Sequence, residues 1–301
     1  MDNISLTGAT GFAGSNLITY IHGLFQMHSI SRSELSSINE QLLNNTEVFI
    51  HLAGKAHDLK KVSDPQEYYQ VNYELTKKLY DAFLKSNAKK FIFVSSVKAA
   101  ADTVNGILTE DVTPDPQTDY GKSKLMAERY IKSQQLPEGK SYYILRPCMI
   151  HGPGNKGNLN LLYQFVKKGI PYPLAGFNNK RSFLSVENLC FIIKEFIEKD
   201  DIASGVYHVA DDEPLSTNEV VSILSASINK KPKLWKISPG LIRAAAKLGD
   251  TLHLPLTTER LNKLTESYIV SNQKIKQAIG KDFPLTSRKG LEITAASFAE
   301  K

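Results

Sequence analysis

Residues 7–14 read Thr-Gly-Ala-Thr-Gly-Phe-Ala-Gly, directly after a short apolar run, Ile4–Leu6, and directly before a helix-period segment. Glycines at 8, 11 and 14 permit a tight turn, close approach of backbone to a pyrophosphate, and close packing of helix on strand. The helix that follows offers free N–H groups and a partial positive charge to phosphates. A triple-glycine pattern alone is weak evidence. Set between a strand and a helix, it points to a dinucleotide-binding α/β fold.

The rest of the first half agrees. Short apolar runs at Gln26–Ile30, Val48–Leu52, Phe91–Ser95 and Tyr142–Leu145 alternate with helix-period segments, the pattern of a doubly wound parallel sheet. Asp64-Pro65 opens a helix whose apolar positions (Tyr68, Val71, Leu75, Leu79, Ala82, Phe83) fall at 3–4 spacing, and a second helix runs from about Tyr120 to Ile131. The segment between Ile30 and Val48 has room for a short helix but not for a strand plus a helix, so the sheet is expected to lack a strand there. After Arg146, prolines and glycines crowd a loop-rich stretch around a helix at Leu159–Lys168. A strand (Phe183–Val186), a helix (Asn188–Ile197), a strand (Val206–Val209) and a helix capped by Ser216-Thr217-Asn218-Glu219 follow, and the tail is mainly helical. The expected organisation is a dinucleotide-binding domain over 1–155, to which the chain returns at about 183–210, and a smaller, mostly helical substrate lobe over 156–301.

Charge is unevenly spread. The chain carries a net +6, yet residues 230–301 alone hold 14 Lys+Arg against 6 acids. A basic lobe suits an anionic small ligand, a nucleic acid or an anionic membrane surface, or is simply a solvated face. No nucleic-acid motif or aromatic-interleaved basic run is present, so nucleic acid is not expected as a partner. No apolar run approaches a membrane span, and with an apolar strand and glycine turn opening the sequence a secretory leader is not expected. With two cysteines, Cys148 and Cys190, neither a disulfide framework nor a zinc site is expected, and the location expected is cytoplasmic.

The chemistry is suggested by Tyr120 and Lys124, one helical turn apart. An ammonium close to a phenol favours the phenolate, moving it toward working pH and making Tyr120 a candidate acid/base for a sugar or alcohol hydroxyl. Tyr-x-x-x-Lys occurs also at Tyr73/Lys77 and Tyr163/Lys167. Only Tyr120 follows an apolar strand ending in Ser95-Ser96, and strand C-termini face the ligand crevice of such a sheet. Ser96, Tyr120 and Lys124 are therefore the catalytic candidates; the other two pairs read as packing tyrosines with solvated lysines. The end of the second strand usually carries an acid that grips the adenosine ribose of NAD; here it reads Ser31-Arg32-Ser33. Arg32 suits a 2′-phosphate or stacking on adenine, a lean toward NADP, or is a surface arginine. The dinucleotide is thus NAD or NADP. Gly121-Lys122-Ser123 imitates a P-loop ending, but Pro116 stands where the first glycine is needed. His51, His57, His151 and His208 show no metal-ligand spacing and read as polar or packing histidines, so no metal is expected.

Together with His51-Leu52-Ala53-Gly54, Val71-Asn72, Arg146-Pro147, His151-Gly152-Pro153-Gly154, Gly157-Asn158-Leu159 and Arg181-Ser182-Phe183, these motifs span essentially the whole chain. They make it similar to the extended short-chain dehydrogenase/reductase family, in its nucleotide-sugar epimerase/dehydratase branch, with a Rossmann fold. The resemblance implies that Ser96 and Tyr120 handle a sugar hydroxyl, and that Lys124 binds the nicotinamide ribose and poises Tyr120. It further implies a cofactor cleft lined by Gly8, Gly11, Phe12, Gly14, Arg32, Leu52, Ala53, Gly54, Asn72, Ser95 and Pro147. Lys98, Asn158, Leu159, Arg181 and Arg260 are the implied contacts to a nucleotide-diphosphate sugar. Dehydratases of this branch carry an Asp-Glu pair after the serine; here Val97-Lys98 stand there, which argues against elimination of water. The resemblance thus implies a UDP-sugar 4-epimerase in surface-polysaccharide precursor synthesis. The alternative is a 4-keto-6-deoxy-hexosamine reductase using the same residues. A non-catalytic NADP-binding regulator is disfavoured by the intact triad. Membrane-surface association is not expected, although a polyprenyl-diphosphate sugar at the membrane face remains open; a homodimer through helices around residues 65–87 and 120–135 is common among such proteins.

Overall fold

Four apolar runs buried on both faces, a more polar edge run at Gln26–Ile30 and a sixth strand from the second half build a fully parallel sheet. The computed structural model describes residues 3–55, 64–155, 157–252 and 254–299. Its main sheet comprises β1 (Asn3–Thr7), β2 (Gln26–Ile30), β3 (Val48–His51), β4 (Lys90–Val94), β6 (Ser141–Pro147) and β9 (Gly205–Val209), with α1 (Phe12–Tyr20) between β1 and β2. The strand order is β2-β1-β3-β4-β6-β9, all parallel. The order reverses direction between β1 and β3, which places the glycine turn after β1 at the crevice where such sheets take ligands. Between β2 and β3 lie two short 3-10 turns, Glu34–Ser37 and Glu40–Leu43, and no strand, as the length of that segment predicts.

The sheet has a core on each face. Ile4, Leu6, Ile50, Ile92 and Leu145 pack against α1 and α6 (Val186–Glu198); Phe49, Phe91, Phe93 and Ile144 pack against α3 (Leu75–Lys85) and α4 (Asp119–Ser133). The period-two alternation of a strand buried on both faces produces this division. The helix opened by Asp64-Pro65 begins as α2 (Gln66–Tyr68), whose first N–H is received by Asp64 Oδ1 at 2.8 Å. It then widens into a π-helical stretch, Tyr69–Glu74, before α3. That wide turn carries a fully buried Asn72, and the 3.6-residue spacing gave no sign of it.

A second core gathers Tyr163, Leu174, Leu215, Leu224, Leu291 and Phe298 from α5 (Asn158–Lys167), α7 (Thr217–Ala226), α11 (Ser287–Ala299) and the loops between them. The Ser216/Glu219 capping box at the start of α7 is formed in both directions. The helices α8 (Pro239–Leu252) and α9 (Thr258–Thr265) pack on each other at its edge. The lobes interleave more than a boundary at 156 implies. β8 (Phe183–Ser185) does not enter the main sheet; it pairs with β7 (Met149–His151) in a two-stranded ladder. β10 (Ile269–Val270) pairs with β5 (Ile107–Leu108), and Tyr268, Val270, Phe283 and α10 (Gln273–Ile279) pack into the first core. Residues 268–283, expected in the second lobe, thus join the first, because their apolar side chains find the uncovered edge beside β9.

Candidate active site

The C-terminal ends of β1 and β3 are locked together before any side chain reaches a ligand. Thr7 Oγ1 lies 2.7 Å from His51 Nδ1 and accepts from Ala53 N at 3.2 Å; His51 Nε2 meets Thr76 Oγ1 at 2.9 Å. Burial pushes the His51 pKa down to about 3, with the Lys124 charge acting the same way, so the imidazole is neutral and braces the two strands. Gly8 sits at φ +78°, where a Cβ would meet Ala53 N at 2.7 Å, and a Cβ on Gly14 would lie 2.2 Å from Gly8 O. Backbone here touches backbone. Gly11 begins α1 with no side-chain cap, leaving the N–H groups of the first turn, from Phe12 onward, to an external acceptor. This glycine cradle and uncapped helix end fit a dinucleotide pyrophosphate. Arg32 is exposed beyond β2, and its neighbours are engaged locally: Ser31 Oγ donates to Glu34 Oε2 at 2.6 Å.

At the end of β4 two adjacent serines part. Ser95 Oγ turns inward and donates to Glu128 Oε1 at 2.5 Å. Ser96 caps the 3-10 turn Val97–Ala99, accepting from Lys98 N at 3.2 Å, and is hydrogen-bonded to the Tyr120 phenol. The first turn of α4 rests on that 3-10 turn. A Cβ on Gly121 would lie 2.4 Å from Lys98 O, so only glycine lets Tyr120 approach Ser96 this closely. Thr118 caps the helix, and Asp102 receives the Gln117 and Thr118 N–H groups at 2.6 and 3.2 Å. Gly121-Lys122-Ser123 is thus the first turn of a helix, not a phosphate loop.

One turn on, Lys124 is buried. Its Nζ donates to Val94 O at 3.1 Å and lies 4.8 Å from the centre of the Phe93 ring. A Cβ on Gly54 would stand 3.0 Å from both Lys124 Nζ and Asn72 Oδ1. Asn72 exchanges hydrogen bonds with the Lys55 backbone and donates to Ser123 Oγ at 3.1 Å. Burial brings the Lys124 pKa down to about 8, opposed by Glu128. Burial also raises the Tyr120 pKa, against the Ser96 hydrogen bond, which lowers it. The phenol is therefore not shifted toward neutrality in this state, contrary to the simple ammonium argument, because desolvating the phenolate outweighs its polar neighbours.

Beneath these residues lies a network that spacing alone did not single out. Glu128, fully buried, takes Arg146 Nε at 3.0 and 3.1 Å and Nη2 at 2.5 Å. Arg146 Nη1 in turn meets His208 Nε2 at 3.4 Å, and His208 N donates to Glu110 Oε1 at 2.7 Å. Burial, then the Arg146 charge, holds the His208 pKa at about 4. The available signal was a carboxylate among Leu125, Ala127 and Ile131 on the apolar face of the helix.

The remaining candidates are placed unevenly. Pro147 ends β6, buried. Lys98 Nζ donates to Asp102 O at 2.7 Å and lies 4.3 Å from the centre of the Tyr268 ring; the charge of Arg181 is felt there. Arg181 donates to the Glu266 and Lys263 carbonyls and faces the Glu266 carboxylate at 3.8 Å. Lys98 and Arg181 thus share one neighbourhood. Asn158 stands at the start of α5, but Leu159 is buried in the second core and its side chain packs there. Arg260 is exposed on α9 and donates to Pro255 O at 2.7 Å. His151 is buried with Nδ1 2.8 Å from Thr294 Oγ1, Tyr163 is a core residue and Lys77 covers the Tyr130 ring, as packing roles require. His57 lies outside the described residues. Among the described residues no group of His, Cys, Asp and Glu is arranged to hold a metal, and no helix is long and apolar enough to cross a membrane.

Residues 4–210 match the model of the NAD dependent epimerase/dehydratase family. The chain is 31% identical to UDP-glucose 4-epimerase of Vibrio cholerae, covering 99% of this chain and 96% of the relative. It is 29% identical to the N-acetyl-alpha-D-glucosaminyl-diphospho-ditrans,octacis-undecaprenol 4-epimerase of Escherichia coli O157:H7, over 76% of this chain and 73% of that one. Among solved structures, MoeE5 in complex with UDP-glucose and NAD superposes with a TM-score of 0.76 at 21% identity, covering 99% of each chain, a likeness of fold.

Proposed function

The chain belongs to the NAD-dependent epimerase/dehydratase family, and from that premise we propose that it is a nucleotide-sugar 4-epimerase working through a transient 4-keto sugar. The observation that carries this reading is the Tyr120 phenol hydrogen-bonded to Ser96, with Lys124 one turn away against Gly54 and Asn72. Gly8, Gly11 and Gly14 with the start of α1 hold the pyrophosphate of NAD or NADP; Leu52, Ala53, Gly54 and Pro147 line the cleft, and Lys124 and Asn72 face the nicotinamide ribose. A bound nicotinamide dinucleotide supplies a hydride acceptor and donor.

Tyr120 takes the proton from the C4 hydroxyl as that carbon is oxidised and returns it when the carbon is reduced. Ser96 shares the hydroxyl and fixes its direction. Lys124, able to gain or lose a proton near pH 8, sets the charge beside the phenol. Inversion follows when the 4-keto sugar turns over in the site before hydrogen returns to its other face. In this reading the second lobe holds the substrate, and Lys98, Arg181 and the start of α5 receive the diphosphate, a guanidinium fork suiting its oxygens. Elimination of water is not supported. Val97-Lys98 follow Ser96, and the nearby Asp102 carboxylate is occupied capping α4.

The test is to mix the purified protein with UDP-glucose or UDP-N-acetylglucosamine and follow the sugar by NMR. Appearance of the 4-epimer without net use of NAD(P)H supports the reading. One-way consumption of NAD(P)H on a 4-keto sugar, with no interconversion, replaces it by a reductase. A second reading keeps the residues and places the sugar diphosphate on a polyprenol, favoured by the named activity of the Escherichia coli relative. Turnover of the polyprenyl-linked sugar with none of the UDP-sugar would select it.

A further inference from the structure

Between Ser96 and Tyr120 the chain makes a long excursion. Ser96 heads the 3-10 turn Val97–Ala99, and Tyr120 is the second residue of α4. Residues 103–114 leave that turn, lend Ile107–Leu108 to the ladder with β10, and return before α4 begins. The hydrogen bond between Ser96 and Tyr120 therefore depends on how the mouth of this loop is held, because closing it costs chain entropy that contacts at its ends must offset. A backbone bond contributes, Asp115 N donating to Ala100 O at 2.9 Å. The half-buried Asp102 carboxylate does more. Its Oδ2 receives Gln117 N at 2.6 Å and Thr118 N at 3.2 Å, and its Oδ1 receives the Thr118 hydroxyl at 3.2 Å. Thr118 Oγ1 in turn receives Gly121 N at 3.3 Å, so Asp102 holds the residue that caps α4.

The main chain of the same residue faces the other way. Asp102 O receives Lys98 Nζ at 2.7 Å. One residue thus ties the turn that carries Ser96 to the helix that carries Tyr120, and anchors Lys98 between them. We propose that Asp102 is a positioning residue for the Ser96–Tyr120 pair, its carboxylate fixing the first turn of α4 against the catalytic turn and its carbonyl holding Lys98. It acts through the backbone ahead of Tyr120, not on the sugar. An ordinary helix cap would affect stability alone; a clamp between two reacting groups also sets their distance, and a misplacement of about 1 Å costs on the order of 10² in rate. The consequence for turnover rests on the proposed 4-epimerase reading, whereas the clamp itself does not.

Asp102→Ala removes the carboxylate and keeps the carbonyl on Lys98. With UDP-N-acetylglucosamine or UDP-glucose it is expected to lower kcat about 10- to 100-fold and to leave KM within about threefold. Asp102→Asn keeps an oxygen for both N–H groups and is expected to hold kcat within about threefold of wild type. Amide exchange over residues 117–121 of the full-length protein is expected to quicken in Asp102→Ala and not in Asp102→Asn, a readout that needs no sugar. Thr118→Val breaks the Oδ1 contact and the cap but leaves both Oδ2 bonds. It is expected to lower kcat about threefold, and it decides the matter should Asp102→Ala not fold. Wild-type kcat in Asp102→Ala, beside an inactive Tyr120→Phe, overturns the clamp and leaves the reaction standing. Full turnover in Tyr120→Phe, or none of either UDP-sugar by the wild type, overturns the reaction reading instead; unchanged amide exchange in Asp102→Ala then still overturns the clamp.

Discussion

Helices α4 and α8 are nearly equal in length, 15 and 14 residues, and break the usual partition of side chains in opposite directions. α4 buries a lysine and a glutamate, Lys124 and Glu128, whereas α8 leaves three leucines in solvent. Buried charge is tolerated only where partners meet it, here the Val94 carbonyl, Arg146 and Ser95. Exposed leucines cost little in a folded chain but forgo burial that a partner surface can supply. Each departure marks a place where packing alone does not account for the residue. In α4 the exception points inward, to the proposed proton chemistry; in α8 it points outward, to solvent.

The comparison breaks most easily at Tyr120. Tyr120→Phe is expected to lower kcat by about 10²–10⁴-fold while dinucleotide affinity, read by fluorescence titration, stays close to wild type. Undiminished turnover would remove α4 from the chemistry. Arg146→Met strips the partner from buried Glu128 and is expected to destabilise by about 3–5 kcal/mol in denaturant unfolding, much of it recovered in the Glu128→Gln/Arg146→Met double variant. A loss below about 1 kcal/mol would mean that the network beneath Lys124 is incidental.

Lys124 itself sharpens the contrast through pH. Its pKa is about 8 in the fold against an ordinary 10.5. Between those values the folded chain has shed a proton that the unfolded chain keeps, so unfolding free energy rises with pH across that window. The rise is at most about 3 kcal/mol, and is flattened in Lys124→Met. The smallest effect belongs to the outer lobe. Ser216→Ala removes one side of the α7 capping box and is expected to cost about 1 kcal/mol. A much larger loss there would show that the second lobe is as tightly coupled as the first.

Local patterning made much of this molecule legible. The glycine turn, the alternating strands, the abbreviated segment between β2 and β3 and the box at Ser216 all follow from contacts within a few residues, whose geometry a sequence specifies directly. The pairing of Tyr120 with Lys124 is likewise a property of one helix. Tertiary structure decided what depends on distant segments meeting: the π turn that buries Asn72, the Glu128–Arg146–His208 chain, and the return of residues 268–283 to the first core. It also decided the direction of the Tyr120 shift, since an ammonium one turn away is visible in a sequence but the removal of water from a phenol is not. Which stripe of α8 faces in, and which faces solvent, was settled the same way. Spacing defines the faces of a helix, and only the neighbouring elements choose between them.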